Sequence, residues 1–221
     1  MKNENWFVVT LSHKKKWLED NPGLAKTRIN VVNSKTFRNL VSEGVGTLNQ
    51  GKRRFKRVLM TGDDAPQAFD KKYEAYRYVL ERLELLKENG RSVEFEDEVG
   101  SQVYIIELNE MARSYRKMKK HNSSKLLENS STCLYVGLTT KETPEQRYDQ
   151  HRQSRDVEES TTWGREYFLT PFHRAYRRDL LLQYEEETGL KLFDLKNSEA
   201  HVREFEVTEW LRQSGYAAYS A

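Results

Sequence analysis

Hydrophobic positions arrive in short blocks, and their spacing changes character along the chain. Trp6–Leu11 (WFVVTL) is a nearly unbroken apolar run, the pattern of a strand buried on both faces. Ser12 can cap a short helix through HKKKWLED, which Asn21, Pro22 and Gly23 would end. Arg28–Val32 predicts a second strand. Ser34 opens a helix that stops at Gly44. Gly51–Arg57 leads into Val58, Leu59 and Met60 as a strand with a basic face. Asp63 and Asp64 then precede Ala65-Pro66, which supplies a cap and a first-turn proline. Phe69, Tyr73, Tyr76, Val79, Leu80, Leu83 and Leu86 follow at spacings of three and four, and Gly90 is the stop. The spacing predicts a helix of roughly 24 residues whose tyrosine stripe packs rather than stacks on bases.

The second half has a different rhythm. Glu94–Glu98 is an acidic linker. Val103–Leu108 and Cys133–Thr139 predict strands, separated by a polar segment, 109–131, with 6 Lys/Arg against 2 acids. Thr143-Pro144-Glu145 caps a short helix running to about Gln153. A helix over Pro171–Glu187, a short strand over Leu192–Leu195 and a helix over 199–213, capped by Ser198 and ended by Gly215, complete the pattern. The fold class is mixed α/β (α+β): an N-terminal extension over 1–95, then a second domain over 96–221.

Composition narrows the class. Of 221 residues, 32% are charged and 37% hydrophobic, and no apolar run approaches a membrane span of roughly 18–20 residues. The start lacks the apolar core of a signal peptide. Cys133 is the sole cysteine, so an internal disulfide and a cysteine-rich zinc site are excluded. These features predict a cytoplasmic protein that does not enter a membrane. The net charge of +3 hides an asymmetry, because residues 1–60 hold 13 Lys/Arg against 4 Asp/Glu. Such a block predicts a polyanionic partner. Lys14, Lys15, Lys16, Lys52, Arg53, Arg54, Lys56 and Arg57, with Trp17 and Phe55 interleaved, are candidate phosphate contacts. Arg113, Arg116, Lys117, Lys119 and Lys120 of the 109–131 segment join them. His13, His121, His173 and His201 show no metal-ligand spacing and read as surface or packing residues.

The candidate chemistry lies in the second half. Tyr104 and Tyr135 fall on the two predicted strands. Arg147 and His151 are four apart and share one helix face. Read alone, they are strand aromatics and a solvated helix face. On the last helix, Val202, Phe205, Val207, Trp210 and Leu211 average to a face on which Glu206 sits closest to the centre, with Glu204 and Glu209 about twice as far round. A carboxylate turned toward a core needs a partner, and a metal ion is one.

In order, Val103-Tyr104-Ile105-Ile106, Leu134-Tyr135-Val136-Gly137 and Pro144-Glu145-Gln146-Arg147-Tyr148-Asp149-Gln150-His151 resemble the GIY-YIG nuclease family, over about residues 100–216. The resemblance implies a small three-stranded antiparallel sheet flanked by helices, and hydrolysis of phosphodiester bonds with one divalent ion, Mg²⁺ or Mn²⁺. It makes Tyr104 the general base acting on water and Tyr135 its hydrogen-bonding neighbour. Arg147 becomes the contact to the scissile phosphate, His151 the group that orients the tyrosines or shares a proton, and Glu206 the metal ligand. The implied protein is a DNA endonuclease of restriction or defence type. A structure-specific repair or recombination nuclease and a non-catalytic nucleic-acid-binding protein are the rival expectations. No small-molecule cofactor is implied, and the oligomeric state, a homodimer included, stays open. The chain departs from the family where Gln102 replaces the first glycine, where 109–131 lengthens the link between the tyrosine strands, and where no asparagine follows Asn197.

Overall fold

The computed structural model describes residues 5–48, 51–95, 97–130, 132–140, 142–153 and 173–220. The chain divides into two compact units, Met1–Asp97 and Glu98–Ala221.

The first unit contains β1 (Trp6–His13), α1 (Lys15–Asp20), β2 (Thr27–Asn33), α2 (Ser34–Glu43), α3 (Gly51–Arg54), β3 (Phe55–Val58), β4 (Gln67–Phe69) and α4 (Lys72–Glu88). β1 is central. β2 pairs antiparallel along it from Trp6↔Asn33 to Ser12↔Thr27. The other edge is shared: β3 takes Leu11–His13 and β4 takes Trp6–Val8. The apolar run of β1 is explained by cover on both sides. Val8 and Ile29 pack with Ala75, Val79 and Leu86 of α4, while Val9, Leu11 and Val32 pack with Leu40 of α2 and Phe55. Each such Val, Leu, Ile or Phe side chain contributes about 1.5–3 kcal/mol by leaving water.

Two expectations change here. The long helix does not begin at Pro66. Ala65 is extended (φ −61°, ψ 147°), as a residue before proline prefers, and the chain pairs with β1 as β4 before α4 starts at Lys72. The acidic segment is also more than a linker. Ile29 N–H donates to the Glu94 carbonyl and Glu94 N–H to the Thr27 carbonyl, both at 2.9 Å, which adds a parallel bridge beside β2.

The second unit contains β5 (Val99–Leu108), α5 (Arg116–His121), α6 (Ser124–Asn129), β6 (Cys133–Thr139), α7 (Pro144–Gln153), β7 (His173–Tyr176), α8 (Arg178–Thr188), β8 (Leu195–Lys196), α9 (Asn197–Gln213) and β9 (Ala217–Ser220). The sheet runs β7-β5-β6-β9, and β8 pairs with the start of β5. β5 is antiparallel to β6 and β7, whereas β9 runs parallel to β6. The fold is thus mixed α/β, but its second sheet is not the expected three antiparallel strands. Residues 173–176 are a strand and the helix after them starts at Arg178. The strand expected at 192–195 shrinks to β8, and β9 was not expected. The 109–131 segment, read from the sequence only as polar and basic, carries α5 and α6.

α9 ends as expected at Gly215 (φ +89°). Gly215 N–H bonds the Arg212 carbonyl and Tyr216 N–H the Leu211 carbonyl, a Schellman turn that reverses the chain into β9. The two sheet faces differ. Val103, Ile105, Leu134 and Val136 pack with Leu181, Tyr184, Ala200, Val207 and Leu211 of α8 and α9. Tyr104, Ile106, Leu108, Cys133, Tyr135 and Tyr219 line the opposite face, with Met118 of α5. Among the described residues no helix is long and apolar enough to cross a membrane.

Candidate functional site

The β5–β6 register sets Tyr104 opposite Gly137 and Ile106 opposite Tyr135, so both tyrosines share one face. Their ring centroids are 6.1 Å apart in an edge-on arrangement. Both are buried, with Tyr104 fully enclosed. Tyr104 lies across Gly137: a Cβ there would stand 2.5 Å from the Tyr104 hydroxyl oxygen. The glycine of the YVG run is therefore a notch for the first tyrosine. β9 extends the row, because Tyr219 pairs with Tyr135 at a centroid distance of 6.0 Å.

α7 covers this face, with Tyr148 packed against the tyrosine cluster and its hydroxyl donating to the Arg174 carbonyl of β7 at 3.0 Å. Its start is a reciprocal capping box. Thr143 N–H donates to Gln146 Oε1 at 2.9 Å, and Gln146 N–H to Thr143 Oγ1 at 3.2 Å. Pro144 occupies the first helical position. One turn on, Arg147 is 7% exposed. It donates to Gln150 Oε1 (3.0 Å), and Gln150 donates to Glu142 Oε1 (3.1 Å), which ties the guanidinium to a carboxylate through an amide. His151 lies on the next turn of α7, and its side chain falls outside the described residues. Burial, then the Glu145 charge, raise the Tyr176 phenol to about 12 against the opposing pull of Arg178. Burial likewise raises the Cys133 thiol, with Arg113 opposing, so the cysteine is an inert core group.

On α9 the buried stripe is Ala200, Glu204, Val207, Thr208 and Leu211. The expectation that Glu206 is the carboxylate nearest the core side is therefore corrected: Glu204 is the buried carboxylate, at 7% exposure. A helix lying close on a sheet presents small residues to it, so Ala200 and Thr208 mark the inner face while Phe205 and Trp210 flank it. Glu204 Oε2 stands 3.6 Å from His201 Nδ1. Glu206 is engaged by Arg203 at 2.5 Å and adds its field to Tyr184 of α8.

The apolar members of the α9 stripe pack on the sheet face away from Tyr104 and Tyr135. Asn197 N–H donates to the Glu98 carbonyl at 2.8 Å and β8 pairs with Val99, so α9 starts beside the start of β5. Seven residues later Glu204 is about 10 Å further along the helix axis. The last described pair of β9, Ser220 with Val136, stops one residue before Gly137. No set of three His, Cys, Asp or Glu able to hold a metal occurs among the described residues. A single buried carboxylate still fits Mg²⁺, which is commonly held by one or two carboxylates together with substrate phosphates.

The basic residues sort into two groups. His13 pairs with Phe55 across β1–β3, and Lys14 N–H donates to the Arg54 carbonyl at 2.9 Å. Two runs forty residues apart thereby become one surface of exposed Lys14, Lys15, Lys16, Arg53, Lys56 and Arg57. The Lys52 side chain lies outside the described residues. Arg54, expected as a phosphate contact, instead pairs with Glu94 at 2.7 Å, beside Arg28 at 3.3 Å. The Arg53 and Arg54 guanidinium carbons lie 5.5 and 5.4 Å from the Trp17 ring. In the second unit Arg113 is likewise committed, donating to the Ser130 carbonyl, while Arg116, Lys119 and Lys120 are exposed.

No protein family, curated protein or solved structure matches this chain.

Proposed function

We propose that the chain is a metal-dependent nuclease that hydrolyses phosphodiester bonds of DNA, a restriction- or defence-type endonuclease with a GIY-YIG-like second unit. The observation that carries the reading is the seating of Tyr104 on Gly137 beside Tyr135, on the sheet face that the Arg147 helix covers. Any strand can hold a tyrosine. A glycine notch that sets a phenol within one helix of a buried guanidinium is a more demanding arrangement.

In this reading Tyr104 accepts a proton from the attacking water, directly or as a relay, and the phenol needs nearby cations to do so near neutral pH. Arg147 offers its planar donors to the non-bridging phosphate oxygens, where negative charge grows in the transition state. Tyr135 holds the Tyr104 ring in place. His151, on the turn after Arg147, orients the same network. Of the α9 carboxylates, the buried Glu204 would hold the divalent ion, together with substrate phosphates. The ion supplies charge neutralisation at the phosphate when bound. The joined basic surface of the first unit contributes sequence-independent contacts to duplex phosphates.

Plasmid DNA incubated with the full chain and Mg²⁺ tests this. Wild type and Glu206→Gln are expected to cut. Arg147→Ala and Glu204→Gln are expected to lose at least about 100-fold in rate, the order seen when one charge-stabilising group is removed. Absence of wild-type cleavage on intact, branched and damaged DNA, with Mg²⁺ or Mn²⁺, would sink the reading. Discrete fragments indicate a restriction enzyme.

A further inference from the structure

The row of tyrosines does not end at Tyr135. Tyr219 continues it, and two side chains of α5 converge on the Tyr219 ring. The Lys117 ammonium lies 5.4 Å from its centroid, and the His121 ring lies 5.2 Å away, tilted by 50°. The three centroid steps from Lys117 to Tyr104 are thus 5.4, 6.0 and 6.1 Å, each under two nucleotide rises of about 3.4 Å.

α5 is firmly docked. Met118 is fully buried, Asn122 Oδ1 accepts from Ala218 N–H of β9 at 3.0 Å, and Asn122 Nδ2 donates to the Met118 carbonyl at 2.9 Å. Ser130 Oγ accepts a second β9 donor, Ala217 N–H, at 2.9 Å. The segment between the two tyrosine strands is therefore built onto the tyrosine face and is not a loose surface loop. Exposed Arg116, Lys119 and Lys120 on the same helix raise the local positive potential, against only Glu110 and Glu128 in the segment.

We propose that Lys117 and His121, seated on Tyr219, form a second phosphate-binding subsite that grips the substrate strand a few nucleotides from the bond to be cut. The Tyr219 ring face holds the ammonium by its quadrupole and limits its wandering. The ammonium has three donors and His121 a ring N–H, a set that suits the non-bridging oxygens of a phosphodiester. Tyr219 is a positioning residue and touches no substrate. Treating the ligand as the substrate strand rests on the nuclease reading above; the anion site does not.

The test is fluorescence anisotropy of a labelled DNA duplex of about 20 base pairs with the full chain in EDTA, titrated at several salt concentrations. Removing one phosphate contact lowers the slope of log K against log salt by about 0.9. Lys117→Ala is expected to show that loss, with binding weakened about 5- to 20-fold. Lys117→Arg is expected to restore the slope, and Lys125→Ala on α6 to change it less. His121→Gln gives an independent variant should Lys117→Ala melt early. A wild-type slope in both Lys117→Ala and His121→Gln overturns the subsite, as does a wild type that binds no DNA. Parallel plasmid cleavage separates the two readings. A shifted slope without cleavage leaves the subsite standing and removes the nuclease; cleavage with an unmoved slope removes the subsite alone.

Discussion

The two units use the same plan, a small sheet covered on both faces, yet they line it differently. In the first unit both faces are apolar, and charge is kept to the rim, gathered on Glu94. In the second, one face is equally apolar, but the other holds Tyr104, Tyr135 and Tyr219, with Tyr148 of α7 packed against them and Arg147 buried on the same helix. Apolar cover is sufficient to make a sheet fold. Burying hydroxyls and a guanidinium adds a desolvation penalty that only well-placed partners offset. That cost is confined to one face of the second sheet, whereas the first unit keeps its charge on the surface.

The largest effect is expected at Glu94 in the first unit. Its carboxylate serves Arg28 and Arg54, and lies 3.3 Å from His13 Nε2 without hydrogen-bond alignment. Glu94→Ala leaves those cations uncompensated in a largely enclosed place. A loss of about 2–4 kcal/mol is expected, below the full value for a buried pair because the carboxylate is partly exposed. Hydrogen exchange of β1 and β2 amides measures it, and unchanged protection would show that the charges are only decorative.

Gly137→Ala probes the other unit. Its Cβ would meet the Tyr104 ring, so a loss of about 1–3 kcal/mol is expected in chemical denaturation. In a Tyr104→Ala background the penalty should largely vanish, because the clashing ring is gone. An additive cycle would mean that the notch and the tyrosine are not coupled.

The smallest effect is a titration. Tyr176 is raised to about 12 from an ordinary 10, mainly by burial. Its folded form resists ionising, so stability is undiminished below pH 10 and falls as pH rises from 10 through about 12. Tyr176→Phe should flatten the fall of the urea midpoint across that window, and an identical pH profile in both proteins would contradict it.

Elements with strong internal signals were legible. β1 follows from WFVVTL, α7 from its capping box and the α9 end from Gly215. The short strands were not. β4 (QAF), β7 (HRAY) and β9 (AAYS) carry no alternation long enough to read, and they exist because a longer strand offers an unpaired edge. The inner face of α9 was misjudged for a related reason. Averaging apolarity weights Phe205 and Trp210, whereas the sheet selects the small residues that let α9 come close. Ala200-x-x-x-Glu204-x-x-Val207-Thr208-x-x-Leu211, at spacings of three and four, was the available signal.

Local pattern thus decided the long strands, where α2, α4 and α9 stop, and which residue types could carry chemistry. Those properties depend on neighbours within a few positions. Tertiary structure alone decided that Lys14–Lys16, Arg53, Lys56 and Arg57 form one surface, that Arg54 and Arg113 serve the fold, and that Tyr219, Lys117 and His121 join the tyrosine row. Each of those depends on strand pairing between residues far apart in the chain, which no local spacing encodes.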